Sequence, residues 1–174
     1  EGQRILQELV RVYPDSKKAD QASYLLANLA QEQKRYDEAV DVYRQIVNNW
    51  PDSPVAPEAQ YKIGMCFEKK GDFDTACEEY VRLAYQYPDS VLIGDAMIRI
   101  GLFFFNEKKY PLAIGVFNKF VERHPLHKMI EEVWFKLGLA FILNEEFAKG
   151  GEHFEKFVEK FPETKLKAAA LYWA

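Results

Sequence analysis

The stretch QYPDS at residues 86–90 decides the fold, because RVYPDS at residues 11–16 and NWPDS at residues 49–53 repeat its pattern. A fixed period of a few tens of residues indicates a repeat architecture. The prolines that mark the period recur every 37 residues, at Pro14, Pro51, Pro88, Pro125 and Pro162. We therefore predict a single repeat domain over residues 1–174, with four full repeats between two partial ones: 1–14, 15–51, 52–88, 89–125, 126–162 and 163–174.

Each repeat carries two amphipathic patterns. Counted from the residue after each proline, apolar residues fall at positions 5, 8, 12 and 16 and again at positions 25, 29, 32 and 33. This spacing is typical of helices, which we name A and B. Small residues at positions 13 and 25, such as Gly64 and Ala76, are expected to let helix A approach helix B closely. The rings at positions 16, 22 and 29 are expected to fill the space beside that contact.

The residues between the helices predict where each helix begins and ends. Tyr87-Pro88 is expected to end a helix B, because proline cannot continue the hydrogen-bond ladder and restricts the preceding residue. The Asp-Ser that follows offers a cap to the next helix A, with Pro54 in its first turn. An aromatic residue followed by Asp, Pro or Ala marks the start of helix B. This aromatic residue is Tyr36, Phe73, Tyr110 or Phe147.

Two short motifs resemble the tetratricopeptide repeat signature. They are WFKLGLAF at residues 134–141 and the Ala-x3-aromatic spacing of residues 39–43, 76–80 and 113–117. The resemblance covers the whole chain and implies an all-α solenoid, a right-handed superhelix of antiparallel helix pairs. The period of 37 rather than 34 residues departs from it, and we expect the extra residues to lengthen the lead into helix A by about a turn. Larger residues also replace the usual late alanine: Ile46, Leu83, Phe120 and Phe157.

A longer stretch resembles a narrower group of proteins. WPDSPVAPEAQYKIGMCFEKKGDFDTA, residues 50–76, is similar to the long-repeat tetratricopeptides of bacterial envelope proteins. Examples are the lipoprotein subunit of the outer-membrane protein assembly machine and the accessory protein of the Tol-Pal system. This resemblance implies a role in envelope assembly or maintenance, in the periplasm or at the outer membrane. The chain begins and stops inside helical patterns, so we expect it to be a piece of a longer protein.

Helix A lines the concave groove that such superhelices present to partners. By the repeat register, positions 7, 10, 14, 17 and 18 face this groove, and their residues turn from polar to apolar along the chain. Contiguous exposed apolar surface usually marks an interaction site. The predicted partner-binding groove comprises Tyr24, Tyr61, Met65, Ile98, Leu102, Phe105, Phe135, Leu139, Ile142 and Tyr172.

Two interpretations of this groove follow from the sequence. In one, it holds an extended segment or a helix of a protein partner, and the chain is a non-enzymatic scaffold. In the other, its apolar lining packs against the rest of the native chain or against a second copy. The acids at position 7 would attract a basic partner, but each has a base four residues later, as in an ordinary helix-stabilising pair. These pairs are Glu58–Lys62, Asp95–Arg99 and Glu132–Lys136.

Composition narrows the remaining functions. A hydrophobic content of 48% supports a sizeable core, and a net charge of -4 without charge runs argues against nucleic-acid binding. The apolar runs are too short to span a bilayer. Cys66 and Cys77 are expected to be buried thiols rather than a disulfide. The three histidines lack metal-ligand spacing and no catalytic motif appears, so we expect no metal, no cofactor and no enzymatic activity.

Overall fold

The structure, a computed structural model, describes residues 2–13, 16 and 18–174. Pro14 and Asp15 of the repeat pattern lie outside the described residues. In the described part the regular structure is helical, which confirms the all-α prediction. The helices are α1 (Gly2–Val12), α2 (Ala19–Glu32), α3 (Tyr36–Asn49), α4 (Ala56–Lys70), α5 (Phe73–Gln86), α6 (Ile93–Asn106), α7 (Tyr110–Arg123), α8 (Ile130–Leu143), α9 (Phe147–Lys160) and α10 (Lys167–Trp173).

The chain forms two compact units, one up to Ile93 and one of Gly94–Ala174. Unit 1 contains α1 to α5, and unit 2 contains α7 to α10 with nearly all of α6. Each unit has apolar side chains that are excluded from water. The core of unit 1 is built around Tyr43, Ile46, Ile63 and Cys66. Unit 2 has two buried clusters, one around Phe117, Phe120 and Leu137 and one around Phe154, Phe157 and Ala170.

The helix boundaries follow the repeat register. Helix B begins at position 22 in all four repeats, at the aromatic residue that the sequence predicted, and ends one residue before the next aromatic residue and proline. Helix A begins at position 5 each time. The predicted stop and start signals of helix B are therefore confirmed. The helices that begin at position 5 are α2, α4, α6, α8 and α10.

The predicted cap of helix A was wrong. The N-cap residue of α4 is Val55, which makes no side-chain cap, and Pro57 rather than Pro54 lies in the first turn. Ser53 instead stabilises the preceding turn, because its Oγ accepts the Val55 N–H at 3.3 Å. The same bond from position 4 to position 2 recurs at 3.2 to 3.4 Å in the described repeats. Its acceptors are Ser16, Ser53, Ser90, His127 and Thr164.

The residues added to the repeat form turns rather than another turn of α-helix. The Ser53 N–H donates to the Trp50 carbonyl at 3.0 Å, and the Ala56 N–H donates to the Ser53 carbonyl at 3.0 Å. Two consecutive turns thus carry the chain from the end of one helix B to the start of the next helix A. They satisfy backbone groups that neither helix can satisfy by itself.

The glycines of position 13 lie directly under the ring of position 29. A Cβ added at Gly101 would stand 2.3 Å from Phe117 Cε1, and at Gly64 it would stand 2.5 Å from Tyr80 Cε1. The expectation that the rings lie beside the contact is therefore corrected, because the ring itself occupies the space of the missing side chain. At position 25, Gly150 instead accommodates Ile142, whose Cδ1 lies 2.4 Å from the place of a Cβ.

The helix A to helix B turn has a feature that the sequence did not show. Position 20 adopts the left-handed backbone conformation in all four repeats, although only one of these residues is glycine. In repeat 3, the Lys108 N–H bonds the Phe105 carbonyl and the Lys109 N–H bonds the Phe104 carbonyl, as in a Schellman motif. The position-20 residues and their φ angles are Lys34 at 60°, Gly71 at 81°, Lys108 at 58° and Glu145 at 62°.

Unit 1 also contains a buried carboxylate. Glu79 is 2% exposed, and its Oε2 accepts a hydrogen bond from Gln60 Nε2 at 2.8 Å. Arg44 Nη2 donates to Glu79 Oε1 at 3.1 Å, which joins α3 to the α4–α5 pair. A buried charge requires partners of this kind.

Cys66 and Cys77 are not joined in a disulfide. Cys66 is buried as expected, and burial raises the pKa of its thiol to about 11. Cys77 is only half-buried, so the prediction of two fully buried thiols holds for Cys66 alone.

Candidate functional site

In unit 1, the groove-facing positions of α2 and α4 surround a polar depression of about 420 Å³. Beneath it, the buried Tyr43 hydroxyl lies 2.6 Å from Asn28 Oδ1 and 2.9 Å from Gln31 Oε1. The hydroxyl has one proton and can donate it to only one of these oxygens. The other amide can bond the hydroxyl only in its flipped orientation, with its NH2 group donating to the hydroxyl oxygen. The described lining residues are Tyr24, Asn28, Gln31, Glu32, Tyr36, Glu58, Lys62 and Lys69.

The predicted groove aromatics of unit 1 are half-buried and lean on the core. Tyr24 packs on Tyr43 with ring centroids 5.9 Å apart, and Tyr61 packs on Tyr80 at 5.4 Å. Burial raises the pKa of the Tyr24 phenol, and a hydrogen bond to Glu58 raises it further. Met65 is half-buried on the same helix as Tyr61. The position-10 residues Tyr24 and Tyr61 therefore pack on the core and are also partly exposed at the surface.

In unit 2, the groove-facing residues of α6 are apolar. Leu102 and Phe105 are half-buried against the cluster around Phe117, whereas Ile98 is 7% exposed and belongs to that cluster. Lys136 Nζ lies 4.8 Å from the centroid of the Phe105 ring. This cation–π contact brings α8 beside α6, so the groove-facing sides of both helices form one surface.

The groove-facing residues of α8 continue this surface. Phe135, Leu139 and Ile142 are half-buried against the cluster around Phe154. Past them, Leu143 is 47% exposed and Phe147 is 63% exposed. We define the apolar face of unit 2 as Leu102, Phe105, Phe135, Leu139, Ile142, Leu143 and Phe147.

Most residues of this face belong to the predicted groove, but its two most accessible residues, Leu143 and Phe147, do not. Leu143 falls at position 18, which the register assigns to the groove, so position 18 was the signal that could have found it. Phe147 was interpreted only as the start of helix B. Tyr172, predicted as the last rung of the groove, is 79% exposed on α10.

Two of the position-7 acids, Asp95 and Glu58, contact residues outside the expected pairs. Asp95 Oδ1 lies 3.5 Å from His127 Nε2 and 3.9 Å from Lys128 Nζ. His127 Nδ1 accepts the Met129 N–H, so the neutral ring carries its proton on Nε2, toward Asp95. Glu58 is engaged by Tyr24.

His153 packs within unit 2 against Trp134. His153 Nε2 donates to the Trp134 carbonyl at 2.8 Å, and the two rings stack at 4.7 Å. Burial lowers the pKa of His153. Within residues 2–13, 16 and 18–174, no three His, Cys, Asp or Glu side chains converge to hold a metal ion. In the same residues, no helix combines the length and the apolar character that a membrane span requires.

Helix pairs in a fixed register, with half-exposed residues along helix A, define a helical repeat protein of the kind that binds other proteins. Two models described as tetratricopeptide repeat match the chain, one at residues 1–54 and 24–91 and the other at residues 95–127 and 132–164. The chain belongs to the tetratricopeptide repeat family. These repeats indicate a protein–protein interaction scaffold, and the fold is typical of non-enzymatic proteins.

Solved structures share this fold. MamA residues 41 to the end from Desulfovibrio magneticus RS-1 superposes with a TM-score of 0.64 at 22% identity, over 86% of this chain and 78% of that chain. The C-terminal part of a TPR repeat-containing protein from Cytophaga hutchinsonii superposes with a TM-score of 0.71 at 22% identity. The match covers 97% of this chain and 63% of that chain. PilF from Pseudomonas aeruginosa superposes with a TM-score of 0.62 at 19% identity, over 89% of this chain and 68% of that chain. At these identities the likeness establishes the fold alone. No curated protein sequence matches the chain.

Proposed function

We propose that this scaffold binds a segment of a protein partner on the apolar face of unit 2. The observation that supports the proposal is the exposure of Leu143 and Phe147, together with the half-exposure of the groove-facing Leu102, Phe105, Leu139 and Ile142. Covering such side chains removes apolar surface from water and favours association. The occupant is an apolar helix or extended segment, and the polar depression of unit 1 forms a second, hydrogen-bonding contact surface.

A photo-cross-linking experiment in the native organism tests this assignment. A benzophenone side chain in place of Phe147 is expected to cross-link a discrete partner protein, whereas the same group in place of Leu112 is not. Leu112 is 52% exposed and lies on α7, a helix B. It is therefore accessible to solvent, as Phe147 is, but it is not part of the apolar face of unit 2.

A charge substitution then shows whether the apolar face is responsible. Leu143→Glu is expected to abolish the cross-link from position 147, while Leu112→Glu preserves it. Circular dichroism confirms that both variants remain helical. Equal cross-linking from positions 147 and 112, or a cross-link that survives Leu143→Glu, would contradict the proposed binding face.

A second candidate is that this face pairs with another copy or with further residues of the native chain. The same exposed residues favour it, because an apolar face has no intrinsic preference for a foreign partner. Sedimentation equilibrium over a range of protein concentrations separates the two. Partner binding predicts a monomer. Pairing of copies predicts a dimer that the Leu102→Glu, Leu139→Glu double variant dissociates.

We further propose a location in the periplasm or at the outer membrane, with a role in envelope assembly or maintenance. Its support is the resemblance of residues 50–76 to envelope tetratricopeptides. Fractionation of native cells by osmotic shock, followed by immunoblotting, tests it. Recovery with the cytoplasmic marker would overturn the compartment and leave the binding face to be judged by its own experiments.

A further inference from the structure

Unit 1 has a cleft away from the groove-facing positions of helix A, at the edge where α3 and α5 end. It consists of two adjoining depressions of about 560 Å³ and about 350 Å³ that share Pro51, Asp52 and Ser53. The first is also lined by Val47, Pro54, Pro57, Gln86 and Tyr87, and the second by Ser16, Asp20, Asn49 and Trp50.

Two helix C-termini meet this cleft. Asn49 is the last residue of α3 and Gln86 is the last residue of α5. The C-terminal end of a helix carries partial negative charge and carbonyls without intrahelical partners, and cations stabilise it. Neither α3 nor α5 has a basic residue in its last turn. The corresponding position in repeats 3 and 4 is basic, with Arg123 in α7 and Lys160 in α9.

Two carboxylates add to the negative potential. Asp20 is held in place because its Oδ2 accepts the Ser53 hydroxyl. Asp52 is exposed, and its charge, after burial, raises the pKa of the Tyr87 phenol. None of the described lining residues is Lys, Arg or His. Among the residues that the structure describes, the cleft therefore has no lining cation to balance these negative charges.

The aromatic and proline residues that line the cleft favour one kind of cation over others. Trp50 and Tyr87 contribute half-buried aromatic rings, and Pro51, Pro54 and Pro57 contribute rigid apolar surface. A guanidinium group stacks on such surfaces through its faces while its N–H groups donate to carboxylates and carbonyls. We propose that this cleft binds an arginine side chain of a partner protein. It is a contact surface additional to the apolar face of unit 2, and neither depends on the other.

The direct test is a titration of the whole chain with the acetylated, amidated peptide Gly-Arg-Gly, followed by amide NMR shifts. The matched control replaces arginine by citrulline, which keeps the shape and removes the charge. We expect saturable amide shifts with arginine only, at Trp50, Asp52, Ser53, Gln86 and Tyr87. Shifts with both peptides, no shifts, or arginine shifts confined to other residues would overturn the proposal. Equal binding of Gly-Lys-Gly would overturn the assignment to arginine.

Variants localise the effect. Gln86→Arg places in the cleft the residue type that repeat 3 has at the same position, and Asp52→Asn removes one charge without changing size. Each is expected to raise the peptide Kd by about fivefold, the upper range for a single exposed ion pair. Asp89→Asn, at the equivalent position of the next repeat and outside the described lining, is the control. Binding that Gln86→Arg leaves unchanged, or that Asp89→Asn weakens equally, would contradict the proposed site.

Discussion

The absence of a side chain at position 13 determines where the ring of position 29 on helix B can lie. At Gly64, Gly101 and Gly138, the ring of position 29 occupies the space of a Cβ. Repeat 1 differs, since its position 13 is Ala27, which is fully buried. The glycines thus contribute packing in spite of the backbone entropy that glycine costs in a helix.

Alanine substitutions should separate these two effects. Gly101→Ala is expected to destabilise the protein by about 1 to 3 kcal/mol, because the new methyl group overlaps the Phe117 ring. Gly115 lies in α7, and a methyl group added there would meet no atom within 4 Å, so Gly115→Ala is expected to stabilise by about 0.5 to 1 kcal/mol. Urea unfolding of both variants measures the difference. Equal changes in the free energy of unfolding would show that the Phe117 ring moves aside without a measurable cost.

His153 gives stability a pH dependence. Burial lowers the pKa of its imidazole, so below about pH 6.5 the unfolded chain binds more protons than the folded chain. Stability is therefore full above that pH and falls as the pH decreases toward the lowered pKa. The pKa of His124 is also lowered, by burial and by the charges of His127 and Arg123, and acts in the same direction.

Urea unfolding at about pH 7.5 and at about pH 5.5 measures this effect as a difference in the free energy of unfolding. In His153→Val the decrease should be smaller, because one titrating group is removed and valine occupies the same position in repeats 1 and 3. An unchanged decrease in the variant would assign the pH dependence to other groups.

At the scale of the helix, the turn after helix A keeps its shape from repeat to repeat while its sequence varies. Lys34, Lys108 and Glu145 adopt the left-handed conformation that Gly71 adopts without steric cost. For a residue with a side chain this conformation costs about 1 to 2 kcal/mol. The hydrogen bonds of the Schellman motif offset that cost in each repeat.

Glycine at this position should therefore improve the turn. Lys108→Gly is expected to raise the free energy of unfolding by about 0.5 to 1 kcal/mol, after the larger entropy of glycine in the unfolded chain is subtracted. Gly71→Ala is expected to lower it by a similar amount. Thermal unfolding followed by circular dichroism compares the two. A loss of stability in Lys108→Gly would mean that the lysine side chain stabilises the turn.

At the scale of the whole molecule, each unit has its own buried clusters. Stability in repeat proteins is approximately a sum of repeat and neighbour terms. Residues 1–88 and 89–174 are therefore each expected to be helical and to unfold cooperatively as separate fragments. Circular dichroism and urea titration test this, and an unfolded fragment would contradict it. A single unfolding transition of the intact chain would support the prediction of one domain over residues 1–174.

Much of the helical architecture could be read from local patterns. The starts of helix B at Tyr36, Phe73, Tyr110 and Phe147 were predicted because turn signals and apolar spacing act within a few residues. The cap at Ser53 was misassigned, since a hydroxyl three residues before a helix can bond either the helix or the turn, and only the backbone path decides between them. The exposure of Leu143 and Phe147 depends on which neighbouring side chains cover them, which no local pattern records.

The sequence by itself determined the number of helices per repeat, their register and the tetratricopeptide class, because the 37-residue period and the 3.6-residue helical period are properties of the linear chain. The tertiary structure decided three other features. It placed the rings of position 29 in repeats 2 to 4 over glycines, it set position 20 in the left-handed conformation, and it brought the ends of α3 and α5 to one acidic cleft. These depend on which surfaces meet when helices pack, and packing joins residues that are far apart in the chain.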